Sequence, residues 1–261
     1  AADADIPGLQ RLTAAVHAQG VPILAQISHA GSAAHRAITG QEVISASAVP
    51  NPSRAASVHG QPEFPREMTQ GDIQCIIQAF VDAAARAQQA GYDGVEIHSA
   101  HGYLLDQFYS PLTNRRTDDY TGRTLEGRTR LQVEIIQAIR RRLGKDFVLS
   151  LRLGGSDYMD GGAVCAEVGQ AAKLFEAAGL DMLSLSGGMS FFFRPGHTEA
   201  GYFSELAEAA KTGTTLPVML TGGIADGAEA ETFLEKGQAD LIGIGRAALR
   251  DHQIYQKILS M

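Results

Sequence analysis

The sequence alternates amphipathic helices with short apolar strands, and this alternation limits the folds that the chain can adopt. Apolar residues recur at helical spacing, a glycine ends most of these stretches, and a run such as VPILAQI follows. Such nearly continuous apolar runs are typical of strands covered on both faces in a parallel sheet. Repeated helix-strand units with right-handed crossovers therefore predict an α/β sheet or barrel.

The predicted elements form six pairs in which a helix precedes a strand. The helices are predicted over residues 5–19, 71–90, 125–143, 166–178, 203–211 and 228–236. The strands are predicted over residues 21–27, 94–97, 147–153, 182–185, 217–220 and 239–244.

Length and charge exclude several classes of protein. The 261 residues suit a single (β/α) barrel, and 44% hydrophobic with 20% charged residues is ordinary for a soluble globular domain. The net charge is −7 and the basic residues are scattered apart from the short run 140–142, so a nucleic-acid partner is not expected. No apolar stretch approaches the roughly 20 residues that span a bilayer, so a membrane partner is not expected either.

The cysteines indicate a reducing compartment. Cys75 and Cys165 lie far apart in predicted helices, and no CxxC motif or Cys/His cluster could hold zinc or an iron-sulfur cluster. The sequence therefore predicts a cytoplasmic protein without a bound metal.

The carboxyl ends of the predicted strands carry the residues with chemical potential. Two long connections, 29–68 and 98–124, follow strand ends, and connections of that length usually form lids or binding loops. Parallel α/β proteins bind their ligands at this edge. A single glutamine or Gly-Gly pair there could equally be a core amide or a turn, but all six ends are polar or glycine-rich. The residues at these ends are Gln26 and His29, His98 and His101, Arg152, Ser186 to Gly188, Gly222 and Gly223, and Gly245 and Arg246.

The last two predicted strands end in a pattern typical of phosphate binding. PVMLTGGI and ADLIGIGRA place Gly222, Gly223 and Gly245 where backbone N–H groups could approach an anion. Arg246 would add a bidentate positive charge. The alternative is that the glycines serve only tight turns. The pattern predicts a phosphorylated cofactor or substrate.

Arg152 and the segment EIHSAHGYLLDQF supply the candidate reactive groups. A guanidinium inside the apolar strand LSLRL must meet an anionic ligand or a carboxylate such as Glu96. His98 and His101 lack the HxxxH spacing and a third ligand, so a metal site is not predicted. Two imidazoles can instead donate hydrogen bonds to a substrate oxygen, and the weakly acidic Tyr103 can protonate a carbanion or enolate.

These motifs resemble those of a known family. QISHAG, GVEIHSAHGYLLDQFYSPLTNRRTDDYTG with LEGRTR, FVLSLRL, DMLSLSGG, PVMLTGGI and ADLIGIGRA are similar, over nearly the whole chain, to the Old Yellow Enzyme or NADH:flavin oxidoreductase family. The resemblance implies a (β/α)8 TIM-barrel type of fold with FMN as cofactor and NAD(P)H as reductant. It also implies a small-molecule enone substrate, an α,β-unsaturated carbonyl compound whose C=C bond is reduced.

The resemblance also implies a role for each candidate residue, with FMN lying across the barrel mouth. Tyr103 would protonate the α-carbon of the substrate, while His98 and His101 bind its oxygen. Gln26 would contact the pyrimidine edge of FMN and Arg152 its N1 and O2 atoms. The residues implied for the phosphate are Gly222, Gly223, Gly245 and Arg246.

A full barrel of this family has eight strands, and the sequence resembles strands 3 to 8. The expectation is one N-terminally incomplete domain over residues 1–261, in which six βα units are present. The edges of the third and eighth strands would be unpaired, and such edges invite pairing into a homo-oligomer. Two alternatives to the flavin enzyme stay open: a flavin-free phosphate-binding barrel lyase or isomerase, and an inactive truncated remnant.

Overall fold

The apolar runs that follow the helices line up side by side as one parallel sheet of six strands. The computed structural model describes residues 2–57, 60 and 63–259 of the chain. The strands of this part are, in chain order, β1 (Leu24–Ile27), β2 (Ile44–Ser45), β3 (Arg66–Glu67), β4 (Gly94–Ser99), β5 (Val148–Ser156), β6 (Met182–Gly187), β7 (Val218–Leu220) and β8 (Leu241–Ile242).

The six sheet strands lie in the order β1-β4-β5-β6-β7-β8, and every neighbouring pair is parallel. Strands β2 and β3 form a separate parallel pair within the first long connection. Since strands that are adjacent in the sheet follow one another along the chain, the arrangement is that of consecutive βα units in a (β/α) barrel. The predicted fold class is confirmed, with six units forming part of a barrel.

Helices cover one side of the sheet. The longer helices α3, α5, α6 and α7, whose bounds follow, pack against one another in chain order. The helices of the described residues are α1 (Ile6–His17), α2 (Arg36–Thr39), α3 (Gln70–Gln89), α4 (Leu104–Tyr109), α5 (Leu125–Leu143), α6 (Val168–Ala178), α7 (Ser204–Lys211), α8 (Gly227–Glu235), α9 (Arg246–Arg250) and α10 (Ile254–Leu259). Among these helices, none is both long enough and apolar enough to cross a membrane.

The two faces of the sheet differ in polarity because side chains alternate along each strand. Ile97 and Leu151 lie in one row of the sheet and are fully buried in the core under the helices. The opposite face, which would line the inside of a barrel, is polar. Two sets of neighbouring residues across adjacent strands make this face polar. The first set is Gln26, Glu96 and Ser150, and the second is His98, Arg152 and Ser184.

The structure confirms all six predicted helix-strand pairs and changes the bounds of several strands. Strand β1 begins at Leu24 rather than at Val21, and the N–H of Ile23 donates to the Asp93 carboxylate at 2.7 Å. Strand β8 lies at the sheet edge and pairs with the short β7 over only two residues. Strand β5 runs three residues further than predicted, to Ser156, because β6 continues to pair with it past a register shift.

Both long connections contain short elements that the sequence did not predict. The first holds α2, β2 and β3, and the second holds α4. These elements have two to six residues, too few for a periodic apolar pattern to identify them. As a consequence His98 lies inside β4 rather than after it, and Tyr103 is the N-cap residue of α4 rather than part of an open loop.

Candidate functional site

His98, His101 and Tyr103 come together at the carboxyl edge of the sheet, as predicted. The ring centroids of His98 and His101 are 4.9 Å apart, and those of His98 and Tyr103 are 5.3 Å apart. Both imidazoles are buried, at 5% and 8% exposure, while Tyr103 is half-buried. Two imidazoles and one phenol therefore share one small region next to β5 and β6.

The backbone of His101 adopts a left-handed conformation that the surrounding hydrogen bonds hold in place. Its φ is 65°, which for a residue other than glycine costs on the order of 1 kcal/mol. The His101 N–H donates to the Gly187 carbonyl at 3.2 Å, and its carbonyl accepts from the Ser53 hydroxyl at 3.2 Å. The next N–H, of Gly102, donates to the Asp106 carboxyl at 2.7 Å. The backbone at His101 and Gly102 is thus held by hydrogen bonds from three other segments.

Asp106 belongs to a buried pair of carboxyl groups under this region. Burial and the charge of Asp157 raise the pKa of Asp106 well above its usual range, which favours the neutral form of this carboxyl group. Asp157 accepts hydrogen bonds from the Ser110 hydroxyl and from backbone N–H groups. Gly188 makes room for the pair, since a Cβ there would lie 2.4 Å from Asp157 and 3.3 Å from Asp106. The sequence signal for this pair was an aspartate inside the apolar run LLDQF.

The two imidazoles are neutral at ordinary pH. Burial, with a smaller effect from the Arg152 charge, lowers the pKa of His98 to about 3. Burial, followed by the charges of His98 and Arg152, lowers the pKa of His101 to about 2. A neutral imidazole carries one N–H donor and one acceptor nitrogen. The buried Nδ1 atom of His98 has no hydrogen-bond partner among the described residues.

Arg152 is a half-buried cation without an ion pair in the described part of the chain. It is the sheet neighbour of His98, and its Nη2 donates to the Ser186 hydroxyl at 3.3 Å. Its buried Nε atom has no hydrogen-bond partner among the residues that the structure describes. Burial lowers the pKa of the guanidinium, and the charge of Glu96 raises it only in part. Glu96 instead accepts a hydrogen bond from Gln26, and the described residues form no direct Arg152–Glu96 ion pair. A half-buried guanidinium without an ion pair fits an anionic ligand.

Gln26 lies apart from His98, His101 and Arg152. It lies on the edge strand β1, one row below His98 and Arg152, and is exposed. Its Nε2 donates to the Glu96 carboxylate at 2.7 Å. The amide therefore already has a protein partner, although its oxygen and its second N–H remain available for a ligand.

Tyr202 contacts both glycine-containing segments, the one after β7 with Gly222 and Gly223 and the one after β8 with Gly245 and Arg246. Gly222 and Gly223 have φ values of 115° and 74°, so the turn itself requires glycine at both positions. A Cβ on Gly222 would lie 3.0 Å from the Tyr202 ring, and the Tyr202 hydroxyl accepts from Arg246 Nη2 at 2.7 Å. At Gly245 a Cβ would meet no atom within 4 Å, and the φ of −108° is open to any residue. The turn alternative thus explains Gly222 and Gly223 but not Gly245.

Arg246 has no carboxylate partner within ion-pair distance in the residues described, so its charge is available to an anion. Its guanidinium lies 5.9 Å from the Phe192 ring and 5.8 Å from the Tyr202 ring. The Phe192 ring also lies 6.2 Å from His101. Arg152 and Arg246 form no ion pair among the described residues. The charge of Arg152 matches the anionic ring edge of FMN, and the charge of Arg246 with the open backbone at Gly245 matches its phosphate. The residues present therefore fit this cofactor.

Sequence reasoning missed the roles of Ser186, Tyr202 and the aromatic run after β6. Ser186 contacts both Arg152 and His101, and Phe191 lies against His101 with ring centroids 5.4 Å apart. Phe191 also has a positive φ of 68°. The only sequence signals were a serine at a strand end and the letters FFF. No group of three or more His, Cys, Asp or Glu residues in the described ranges is placed to hold a metal ion.

The parallel sheet and its polar carboxyl edge define a ligand-binding protein of the (β/α) barrel class. A model of the NADH:flavin oxidoreductase / NADH oxidase family matches residues 2–260. The chain belongs to this family, which confirms the predicted family. Membership implies FMN as the cofactor and NAD(P)H as the reductant, and it favours the flavin interpretation of the site over a flavin-free lyase or isomerase.

Individual relatives agree with this assignment. The chain is 39% identical over 254 residues to an NADH oxidase of Thermoanaerobacter brockii, covering 95% of this chain and 38% of the relative. It is 37% identical over 249 residues to an NADPH dehydrogenase of Bacillus subtilis, covering 95% of this chain and 70% of the relative. The structure of an Old Yellow Enzyme homologue from Zymomonas mobilis superposes with a TM-score of 0.83 at 25% identity, covering 98% of this chain and 73% of that one.

Proposed function

We propose that this chain forms the cofactor-binding and substrate-binding face of an NAD(P)H-dependent flavin oxidoreductase that reduces the C=C bond of α,β-unsaturated carbonyl compounds. The observation that carries the proposal is the grouping of His98, His101 and Tyr103 beside Arg152. This group offers two neutral imidazoles, a phenol and a half-buried cation without an ion pair in the described residues. The chain spans 38% of the NADH oxidase it resembles, so the activity of a whole protein is part of the proposal.

FMN, when bound, supplies the hydride transfer between NAD(P)H and the substrate. Arg152 is suited to hold the anionic edge of the ring system, because a preplaced cation stabilises negative charge without reorganising. Gln26 would contact the pyrimidine edge through its carbonyl oxygen and its second N–H, while its first N–H stays on Glu96. The residues proposed to hold the phosphate are Gly222, Gly223, Gly245 and Arg246.

His98 and His101 are proposed to donate hydrogen bonds to the carbonyl oxygen of the substrate. Their neutral state leaves each with one N–H, and both rings are buried, so the donors act with little competition from water. The same donors stabilise the enolate that forms when the β-carbon accepts hydride. Tyr103, 5.3 Å from His98 between ring centroids, then donates its phenolic proton to the α-carbon.

The test follows both halves of the reaction in the protein loaded with FMN. Under anaerobic conditions NADH or NADPH should bleach the flavin absorbance, and cyclohexenone should restore it while cyclohexanone accumulates. Free FMN at the same concentration is the control. Bleaching without enone-dependent recovery would leave an NAD(P)H:flavin oxidoreductase and refute C=C reduction. Absence of bleaching with either nucleotide would refute the proposal as a whole.

A further inference from the structure

The Ser186 hydroxyl lies between the two parts of the candidate site. Its Oγ is 2.7 Å from His101 Nε2 and accepts a hydrogen bond from Arg152 Nη2 at 3.3 Å. Ser186 is fully buried, and the adjacent Gly187 carbonyl accepts the backbone N–H of His101 at 3.2 Å. The carboxyl end of β6 therefore contacts both the main chain and the ring of His101.

The available hydrogens decide the direction of the Ser186–His101 hydrogen bond. A guanidinium can only donate, so Ser186 is the acceptor towards Arg152. The hydroxyl then has one hydrogen to donate, and the acceptor within hydrogen-bond distance among the described residues is His101 Nε2. A neutral imidazole that accepts at Nε2 carries its proton at Nδ1.

We propose that Ser186 is a positioning residue that fixes His101 as the Nδ1–H tautomer, so that Nδ1–H is the donor which His101 offers to a ligand. The hydroxyl is held in this orientation by Arg152, which can only donate to it. Because hydrogen bonds in a chain polarise one another, the cation also strengthens the Ser186 donation to His101. Arg152, which is proposed to hold the flavin ring, and His101, which is proposed to bind the substrate oxygen, are then coupled through the hydroxyl group of Ser186.

The tautomer can be measured without any cofactor or substrate. In cofactor-free protein labelled with ¹⁵N and ¹³C in histidine, the two ring nitrogens of His101 have different shifts in the two tautomers. The His101 signals are identified by their loss in His101→Gln. The native protein should show the Nδ1–H form, and Ser186→Ala should lose this preference while Ser186→Thr, which keeps the hydroxyl, restores it. An Nε2–H form in the native protein, or no change in Ser186→Ala, would overturn the inference.

A second measurement uses the protein loaded with FMN and rests on the proposed function. Ser186→Ala should weaken the binding of a phenol about tenfold, the usual effect of leaving one buried polar group without its partner. The matched control is Ser184→Ala, two residues earlier on the same face, whose buried hydroxyl has no partner among the described residues. An equal loss in both variants would refute a specific role for Ser186. If the native protein binds no phenol, the proposed function fails, and the tautomer measurement still decides the inference.

Discussion

The role of Tyr103 as a proton donor can be tested by removing only its hydroxyl group. Its ring packs with Phe191 against Ala33, Ala55 and Ala56, so Tyr103→Phe keeps the packing and removes only the hydroxyl. Flavin reduction by NAD(P)H should proceed nearly as in the native protein. Enone-dependent reoxidation should fall by roughly 10²- to 10⁴-fold, the usual contribution of a general acid. Stopped-flow absorbance measures the two half-reactions separately.

The control for this prediction is Tyr92→Phe, a half-buried tyrosine that precedes β4 at the opposite end of the strand. Both half-reactions should be unchanged in the control. An equal loss in both half-reactions of Tyr103→Phe, or no loss in the oxidative one, would remove Tyr103 from the role of proton donor.

The low pKa of His98 makes the stability of the fold depend on pH. In the unfolded chain this imidazole takes up a proton near pH 6.5, whereas in the folded chain it does so only near pH 3. Between these values the unfolded state binds more protons, so the free energy of unfolding falls as the pH is lowered from about 6.5 towards 3. Between pH 7 and pH 5 the protonation of His98 in the unfolded state should lower the free energy of unfolding by roughly 2 kcal/mol.

Urea unfolding of the native protein and of His98→Asn at pH 7 and pH 5 measures this contribution. The variant has no titrating group at the position, so its stability should fall less than that of the native protein. Parallel losses in the two proteins would show that His98 does not titrate in this way.

At the scale of single residues the sequence indicates candidate residues but not the contacts between them. His98, His101, Tyr103 and Arg152 stand out locally, because imidazoles, a phenol and a guanidinium in or beside apolar strands are unusual. The contacts of Ser186 arise only when β4, β5 and β6 lie side by side. A hydrogen bond between residues 85 positions apart leaves no local pattern in the sequence.

The phosphate of FMN is predicted to bind at the segments that follow β7 and β8. The backbone at Gly245 is open, and the Arg246 guanidinium has only Tyr202 as a hydrogen-bond partner among the described residues. Arg246→Ala should therefore raise the dissociation constant for FMN by roughly 10- to 100-fold, the range expected for one charged hydrogen bond. Fluorescence quenching of FMN on titration with protein measures this constant.

Arg250→Ala is the matched control for this prediction. It removes the same charge from the other end of the same short helix, α9. If the affinity for FMN falls equally in the two variants, the effect comes from net charge, and unchanged affinity in Arg246→Ala would refute the assignment of the phosphate.

At the scale of elements, length decided what could be predicted. Helices such as α5, with 19 residues, repeat their apolar pattern several times, and the predicted bounds of α5 agree with the structure at both ends. The six residues of α4 are all buried, so the helix has no polar face to reveal its period. The two-residue strands β2 and β3 are defined only by their pairing with each other.

On the scale of the whole molecule, the order of the sheet strands follows the order of the chain, so a parallel sheet of consecutive βα units could be inferred from helix-strand alternation alone. Whether the sheet closes into a barrel could not be inferred in this way, because nothing in a local sequence pattern tells an open sheet from a closed one. In the structure β1 and β8 are the two edges of the sheet. Except for Gln26 and His29, the candidate residues lie away from the β1 edge, on β4 to β8 and the segments that follow them.

The central claim is that the carboxyl edge of this sheet binds FMN and presents His98 and His101 to an oxygen ligand. The most direct test is an absorption spectrum of the purified protein during titration with FMN, followed by addition of a phenol. We predict saturable binding at one FMN per chain and then a new long-wavelength charge-transfer band, which a variant with His98→Ala and His101→Ala should not show. A flavin spectrum that stays identical to that of free FMN, or a phenol band of equal strength in the double variant, would contradict the claim.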